Sequence, residues 1–178
     1  EMVHMVIAMD GEQCSCGRRG CWERYASATA LIAQTKDAMK QDVDSIMWDL
    51  VEDNIFRVSG RTAFDAMRKG DATAKQVVDN YIRYIGVGLT NVINALQPDV
   101  ICIGGGISRE GDVLLGPIKD YFAVNDYNKH MKNPDEFYTE YPFPSMAKAD
   151  KSFKQNKSGN SWGFYSQALT ILRCTRWM

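Results

Sequence analysis

The chain has 178 residues, which is enough for one domain with a packed core or for one lobe of a larger protein. Hydrophobic residues make up 45% of it, charged residues make up 24%, and the net charge is −1 at pH 7. These values are typical of a globular protein and argue against nucleic acid or a membrane surface as a partner. No apolar run is long enough to span a bilayer, and no signal peptide is visible at the start.

Residues 1–35 predict a strand, a loop and the start of a helix. The apolar residues before Asp10-Gly11 predict a strand over residues 1–10 that ends in a turn. Residues 11–24 are rich in Gly and Cys and predict a loop. Ser27 has the chemistry of a helix N-cap. The apolar positions behind it keep helical spacing, namely Ala28, Leu31, Ile32 and Thr35.

Three further helices are predicted before residue 98. Residues 41–58 are amphipathic and acidic and predict one helix or two short ones. Residues 62–69 predict another, which Gly70 ends. The clearest helix covers residues 71–97, because an apolar stripe runs along it at three- and four-residue steps. The stripe comprises Val78, Tyr81, Ile82, Ile85, Leu89, Val92, Ile93 and Leu96.

Two glycines, Gly86 and Gly88, interrupt the stripe of the long helix. Each of them costs the helix about 1 kcal/mol relative to Ala. They indicate either a close approach by another backbone or a weakness that the helix tolerates.

The segment after the long helix has the order strand, glycine turn, helix. Pro98 ends the long helix, residues 100–103 form a short apolar run, and Gly104-Gly105-Gly106 follows at once. Residues 113–122 then predict a helix. This order indicates an α/β fold in which the strand is parallel to its neighbours and covered on both faces.

Three of the five cysteines cluster within the loop, at Cys14, Cys16 and Cys21. A clustered, odd set in a chain without a secretion signal indicates metal ligation in a reducing compartment rather than a disulfide framework. With His4, the three thiolates make a donor set that suits a closed tetrahedral zinc site. The alternative for a cysteine is a small buried hydrophobe, which suits Cys102 better than the trio. The alternative for His4 is a half-buried structural histidine.

The other residues of the loop suit such a site. Gly17 and Gly20 allow a tight turn that directs the sulfurs toward one point, and Arg18 and Arg19 can offset their negative charge. A zinc ion with four protein ligands has no open coordination position. The predicted site therefore shapes a loop and does no chemistry of its own.

Several segments of the sequence closely resemble the ROK family of repressors and sugar kinases. They are EMVHM at 1–5, CSCGRRGCWE at 14–23, YASATAL at 25–31, GVGLTNVIN at 86–94 and PDVICIGGGIS at 98–108. The triple-cysteine form of the second segment resembles the glucokinase branch of the family. The resemblance covers roughly residues 1–125, and the zinc motif with its Glu is its most specific part.

The resemblance implies an α/β, actin-like ATPase fold of the ribonuclease H-like type, in which two lobes close around a sugar and ATP. Residues 1–144 would form the C-terminal lobe, with the zinc loop at 4–23, the long helix at 71–97 and the glycine turn at 104–106. The N-terminal lobe would lie upstream of a sequence that begins with Glu rather than Met. Residues 145–178 depart from the family and are expected to form an atypical tail, for which a change of reading frame is our hypothesis.

The resemblance also implies roles for single residues. The family's zinc ligands match His4, Cys14, Cys16 and Cys21. The residues that hydrogen-bond sugar hydroxyls match Glu1, His4 and Glu23. A turn close to the adenine nucleotide matches Gly104, Gly105 and Gly106. From the residues alone, Glu23 equally suits a helix start, where a carboxylate interacts with the helix dipole. The three glycines equally suit an ordinary strand-to-helix turn. Val3 stands where the family has Gly, so a side chain there could crowd the sugar or the zinc loop.

The activity implied is ATP-dependent phosphorylation of a hexose in the cytoplasm, with glucose phosphorylated at its 6-hydroxyl from Mg-ATP. The family places the phosphate-binding hairpin and the general-base Asp before the position of Glu1, so no catalytic residue is assigned here and the chain is expected to be inactive alone. One alternative is the effector-binding lobe of a sugar-responsive ROK transcriptional repressor. Another is a zinc-stabilised lobe that serves only in assembly, since homodimers are common in the family.

Overall fold

The computed structural model describes residues 2–96, 101–125 and 171–173. The α-helices are α1 (Glu23–Ala26), α2 (Ala28–Gln41), α3 (Met47–Leu50), α4 (Thr62–Arg68), α5 (Ala72–Leu96) and α6 (Asp112–Asn125). The strands are β1 (Ile101–Ile103) and β2 (Ile171–Arg173), and 3-10 turns cover Met2–His4, Ile55–Arg57 and Gly106–Glu110. Glu1, Pro98 and most of the predicted tail lie outside the described residues, so the division at residue 144 stays a prediction.

The long helix α5 is the centre of the packing, and α1, α2, α4 and α6 all contact it. The predicted stripe is buried from Val78 to Ile93, whereas Leu96 at its end is 43% exposed. Each fully buried aliphatic or aromatic side chain contributes about 1.5–3 kcal/mol relative to an exposed one. α5 therefore contributes more buried apolar residues than any other helix in the described ranges, as the period of the sequence predicts.

The two glycines of α5 make room for aromatic rings. A Cβ atom at Gly88 would lie 1.9 Å from the indole of Trp22, and one at Gly86 would lie 2.5 Å from the ring of Tyr121. The close approach is therefore real, but it is made by side chains and not by another backbone. Because these rings come from distant parts of the chain, the helical pattern could not identify them.

The start of α2 agrees with the predicted cap, and the start of α5 is fixed by a cap that the sequence analysis did not identify. The hydroxyl of Ser27 accepts a hydrogen bond from the Ala30 amide at 3.1 Å and begins α2. At the start of α5, the buried carboxylate of Asp71 accepts bonds from the Ala74 amide, the Ser45 hydroxyl and the Ile46 amide, each at 2.7 Å. Burial alone would raise the pKa of Asp71, but these hydrogen bonds outweigh it and the pKa lies below its ordinary value.

The elements between residues 41 and 71 also follow the sequence pattern. The stretch 41–58 holds two short helical pieces, α3 and the 3-10 turn Ile55–Arg57. Helix α4 ends at Arg68, one residue before the predicted end, and Gly70 adopts a φ of +91°. A glycine in this left-handed conformation is a common helix terminator. None of the helices in the described ranges is long and apolar enough to cross a membrane.

The predicted strand over residues 1–10 is wrong. Met2–His4 forms a 3-10 turn, and Val6 makes a single antiparallel bridge to Cys21. The amides of Ile7 and Ala8 both donate to the carbonyl of Gly20, at 2.9 and 3.3 Å. A curled loop offers too few aligned backbone groups for a ladder, so the segment folds onto the loop instead of entering a sheet.

The strand after α5 forms as predicted, but its surroundings differ from the prediction. β1 pairs with β2 in antiparallel register, with Cys102 opposite Leu172. Its three residues are partly exposed, so within the described ranges the strand is neither parallel nor fully covered. The partner comes from a C-terminal segment with little sequence period, so the pairing could not be read from the pattern.

Candidate metal centre

The predicted zinc loop, residues 4–23, is called the metal loop below. His4 ends the first 3-10 turn, and the three cysteines lie on a curled segment whose shape depends on two glycines. Gly17 and Gly20 have φ values of +88° and +73°, and a Cβ atom at Gly20 would lie 1.7 Å from the Ala8 carbonyl oxygen. Only glycine fits such a position. The backbone is further fixed by the Cys14 amide, which donates to the Arg18 carbonyl at 2.8 Å.

The structure brings the four predicted metal donors together. One ligand atom each from His4, Cys14, Cys16 and Cys21 lie within 4.8 Å of one another. The Cys14 sulfur is 3.5 Å from His4 Nδ1, and the Cys16 and Cys21 sulfurs are 3.5 Å apart. A tetrahedral zinc with Zn–S bonds of about 2.3 Å requires sulfur–sulfur separations of about 3.8 Å. The donor chemistry and the spacing both fit zinc.

The three thiols have different environments. Cys14 and Cys21 are buried, whereas Cys16 is exposed. The backbone amide of Arg18 hydrogen-bonds the Cys16 sulfur and lowers the pKa of Cys16 to about 6, while burial raises the pKa of Cys21 to about 11. A bound divalent cation favours the thiolate form of a cysteine ligand, so metal binding at the buried Cys21 would release a proton near neutral pH.

The two arginines of the metal loop have separate tasks. The side chain of Arg18 hydrogen-bonds the Cys16 sulfur, which raises the pKa of Arg18. Its charge therefore offsets that of a thiolate, as the sequence predicts. Arg19 instead donates from Nε to the carbonyl of Gly11 at 3.0 Å. It fastens the outer part of the loop to the Asp10-Gly11 turn.

The carboxylate of Glu23 lies beside the donor cluster. Its Oε2 atom is 3.6 Å from His4 Nδ1 and 3.8 Å from the Cys14 sulfur. Glu23 begins α1, and its side chain is 35% exposed. Two of the three predicted sugar-contacting residues, His4 and Glu23, are thus adjacent and open to solvent on one side. The third, Glu1, lies outside the described residues.

The sequence pattern missed the residue that anchors the metal loop to the core. Trp22 is 1% exposed, lies against Gly88, and donates from its indole nitrogen to the Tyr84 carbonyl at 2.7 Å. The hydroxyl of Tyr81 in α5 donates to the Ala26 carbonyl at the end of α1, at 3.0 Å. The signal in the sequence was a large apolar residue placed directly after Cys21 in an otherwise polar loop.

The glycine turn lies elsewhere in the fold, between β1 and α6. Gly105 has a φ of +88° and the Ser108 hydroxyl donates to its carbonyl at 2.8 Å. A Cβ atom at Gly106 would meet nothing within 4 Å, so this side of the turn is open. The buried carboxylate of Glu110 pairs with Arg68 and ties the end of the turn to α4.

Comparison with known proteins gives consistent matches. The ROK family profile matches residues 1–138. A glucokinase of Thermotoga maritima is 34% identical over 127 residues, covering 71% of this chain and 39% of the relative. The crystal structure of a ROK family glucokinase from Streptomyces griseus in complex with glucose and AMPPNP is 31% identical, with a TM-score of 0.64 over 70% of this chain and 40% of that one.

A regulator is also similar to the chain. The crystal structure of a ROK family transcriptional regulator, a homologue of the E. coli MLC protein, is 29% identical, with a TM-score of 0.59 over 70% of this chain and 30% of that one. The chain spans about two fifths of the length of the two glucokinases it matches.

Proposed function

The chain belongs to the ROK family, and from this premise we propose that it is the zinc-bearing C-terminal lobe of an actin-like ATP-dependent hexose kinase. The observation that carries the proposal is the position of Glu23. Its carboxylate lies 3.6 Å from the imidazole of a predicted metal ligand and is partly open to solvent. Similarity to two glucokinases, one of them bound to glucose and AMPPNP, favours glucose and ATP as ligands.

The residues near the metal loop suit recognition of a sugar. A carboxylate accepts two hydrogen bonds from neighbouring hydroxyls, and the carboxylate of Glu23 lies beside His4. The second ring nitrogen of His4 adds another polar contact. We assign sugar contacts to Glu1, His4 and Glu23. Polar pairs of this kind, once a bound sugar covers them, are what discriminates one sugar from another.

Zinc, when bound by His4, Cys14, Cys16 and Cys21, would hold the loop in shape and leave no open coordination position. The chain itself then fixes the carboxylate in two ways. Glu23 follows Cys21 by two residues, and Trp22 between them is buried against α5. Holding a carboxylate in place before the sugar arrives reduces the entropy that binding costs.

For the nucleotide we assign Gly104, Gly105 and Gly106. The open space at Gly106 and the left-handed conformation of Gly105 allow a ligand to approach the backbone closely.

In the complete enzyme, the sugar 6-hydroxyl would attack the γ-phosphate of Mg-ATP, with an Asp of the upstream lobe as general base. This chain would bind ligands but not turn over. A cytoplasmic location and a homodimer stay predictions.

The second candidate is the effector-binding lobe of a sugar-responsive repressor, which the likeness to the ROK regulator favours. Nucleotide binding separates the two. Titration calorimetry with glucose and with AMPPNP should show binding of both ligands if the chain is a kinase lobe. Binding of glucose without AMPPNP would favour the repressor lobe and contradict the kinase assignment.

The role of Glu23 has its own test. Hydrogen bonds to a charged group contribute about 1.5–3 kcal/mol, so Glu23→Gln should weaken glucose binding by at least about tenfold. Glu12→Gln is the matched control, because Glu12 is an exposed carboxylate of the same loop. Equal glucose affinity in both variants would contradict the sugar-contact role.

A further inference from the structure

The three thiols of the metal loop differ in how far a solute can reach them. Cys14 is 3% exposed and Cys21 is fully buried, whereas Cys16 lies within an exposed run that covers residues 15–19. A dissolved oxidant reacts fastest with an accessible cysteine that carries thiolate character. A thiolate that ligates a metal has that character in its bound state. Cys16 is therefore the sulfur of the cluster that meets solvent first.

The geometry also supplies a partner for an oxidised Cys16. Its sulfur lies 3.5 Å from that of Cys21, while a disulfide bond is about 2.05 Å long. The two sulfur atoms must therefore approach each other by about 1.5 Å to form the bond. Gly17 and Gly20 lie between the two cysteines, and both have positive φ values. Gly17 is exposed, and a Cβ atom there would meet nothing within 4 Å, so this residue can absorb a change in backbone dihedral angles.

Cys21 is the fixed member of the pair. It forms the bridge to Val6, and the next residue, Trp22, donates from its amide to the Met5 carbonyl at 2.8 Å. Cys16 sits at the outer end of the loop, where the Gly17 amide donates to the Cys14 carbonyl at 3.0 Å. Movement of Cys16 toward Cys21 leaves these contacts of Trp22 in place.

We propose that Cys16 is an oxidation site, and that a peroxide links it to Cys21 in a disulfide that expels the metal. The inference rests on the proposed metal centre. The Cys16 thiolate attacks one oxygen of hydrogen peroxide, the O–O bond breaks, and the other oxygen takes a proton and leaves as water. The Cys21 thiolate then attacks the sulfenic sulfur, the S–O bond breaks, and hydroxide takes a proton and leaves as a second water. Two electrons pass from the two sulfurs to the peroxide.

The disulfide removes two of the four metal donors and leaves His4 and Cys14. Two protein donors bind zinc too weakly to retain it in dilute solution, so the ion dissociates. Because Glu23 lies beside His4 and Cys14, loss of the ion changes the surroundings of the proposed sugar contact. A thiol reductant reverses the disulfide and restores the donor set. The metal loop thus couples sugar binding to the redox state of its surroundings.

The test uses the complete chain loaded with zinc, with Cys102→Ser and Cys174→Ser removing the other thiols. Hydrogen peroxide is added, released zinc is measured with a chromogenic chelator, and disulfides are located by peptide mass spectrometry. We expect zinc to fall from about one per chain to near zero, with a Cys16–Cys21 link and recovery on adding dithiothreitol and zinc. Met9 is 89% exposed, and its sulfoxide shows that the oxidant acted.

The matched variant is Cys16→His, which keeps a zinc ligand but cannot form the disulfide. It should hold its zinc at a peroxide dose that empties the parent chain. Retention of zinc in the parent after Met9 has been oxidised would overturn the inference, and so would a link between Cys14 and Cys21. A parent chain that binds no zinc before treatment contradicts the metal centre itself. If the variant fails to load zinc, the mapped disulfide in the parent decides the question.

Discussion

Helix α5 and the metal loop are held in place by different physical effects. α5 buries eleven residues from Ala74 to Ile93, whereas the loop buries few side chains and depends on backbone hydrogen bonds and on four donors that converge. The helix is stabilised by the removal of apolar surface from water. The loop would gain further stability from a metal that joined its donors. One region should therefore respond to denaturant and the other to chelator.

Removal of the metal should give the largest difference between the two regions. Cys21→Ser should lower the zinc content from about one per chain to near zero and speed amide exchange in residues 12–22 by about a hundredfold or more. The amides of residues 78–93 should keep most of their protection. Elemental analysis and hydrogen-exchange mass spectrometry measure both effects.

The control for this experiment is Cys102→Ser, because Cys102 lies in β1, away from the donor cluster. It should keep its zinc and its loop protection. Equal loss of protection in α5 and in the loop of Cys21→Ser would show that the two regions unfold as one unit.

Trp22 belongs to both regions, so its removal should damage both. Trp22→Ala empties a site that is 1% exposed and should lower the free energy of unfolding by about 3–5 kcal/mol. Trp22→Phe keeps a ring but loses the hydrogen bond to the Tyr84 carbonyl, and should cost less than the alanine change. Urea denaturation measures both variants. A loss below about 1 kcal/mol in Trp22→Ala would mean that the loop is not anchored through this side chain.

Asp71 tests the start of α5, where polar and not apolar contacts fix the helix. Asp71→Ala removes a buried cap and should cost about 2 kcal/mol at pH 7. Because the pKa of Asp71 is lowered on folding, its contribution is fully present above the unfolded pKa of about 3.9. That contribution is lost as the pH falls through the folded pKa below it.

Urea midpoints measured from pH 7 down to pH 2 should therefore converge for the parent chain and Asp71→Ala. The control is Asp79→Asn, since Asp79 forms an exposed pair with Lys75 on the same helix. Such pairs contribute about 0–1 kcal/mol, so the control should stay near the parent. A constant gap between Asp71→Ala and the parent across the pH range would contradict the role of the carboxylate.

The smallest effect is expected at Tyr81, whose hydroxyl links α5 to the end of α1. Burial raises the pKa of Tyr81, so the hydroxyl stays protonated and donates to the Ala26 carbonyl. Tyr81→Phe removes one hydrogen bond and should cost about 1 kcal/mol. Glucose binding should weaken with it if the link also positions Glu23. An unchanged glucose affinity would show that the Tyr81 hydroxyl contributes to stability and does not position Glu23.

The same contrast explains how much the sequence could predict. α5 and the cap at Ser27 were predicted closely, because helical period and capping chemistry are local properties of the sequence. The donor set of the metal loop could be predicted from residue type and spacing, and the structure brings those four side chains together. The predictions that were wrong or missing concern contacts between residues that are distant in the sequence. The segment 1–10 folds onto the loop, and the partner of β1 comes from residues 171–173.

The contact between Trp22 and Gly88 also limits how this sequence can change over generations. Any side chain larger than hydrogen at position 88 collides with the indole, so position 88 is closed to substitution for as long as position 22 holds tryptophan. A larger residue at position 88 becomes possible only after position 22 has changed to a smaller residue. Among descendants of this sequence, the two positions should therefore vary as a pair, although they lie far apart along the chain.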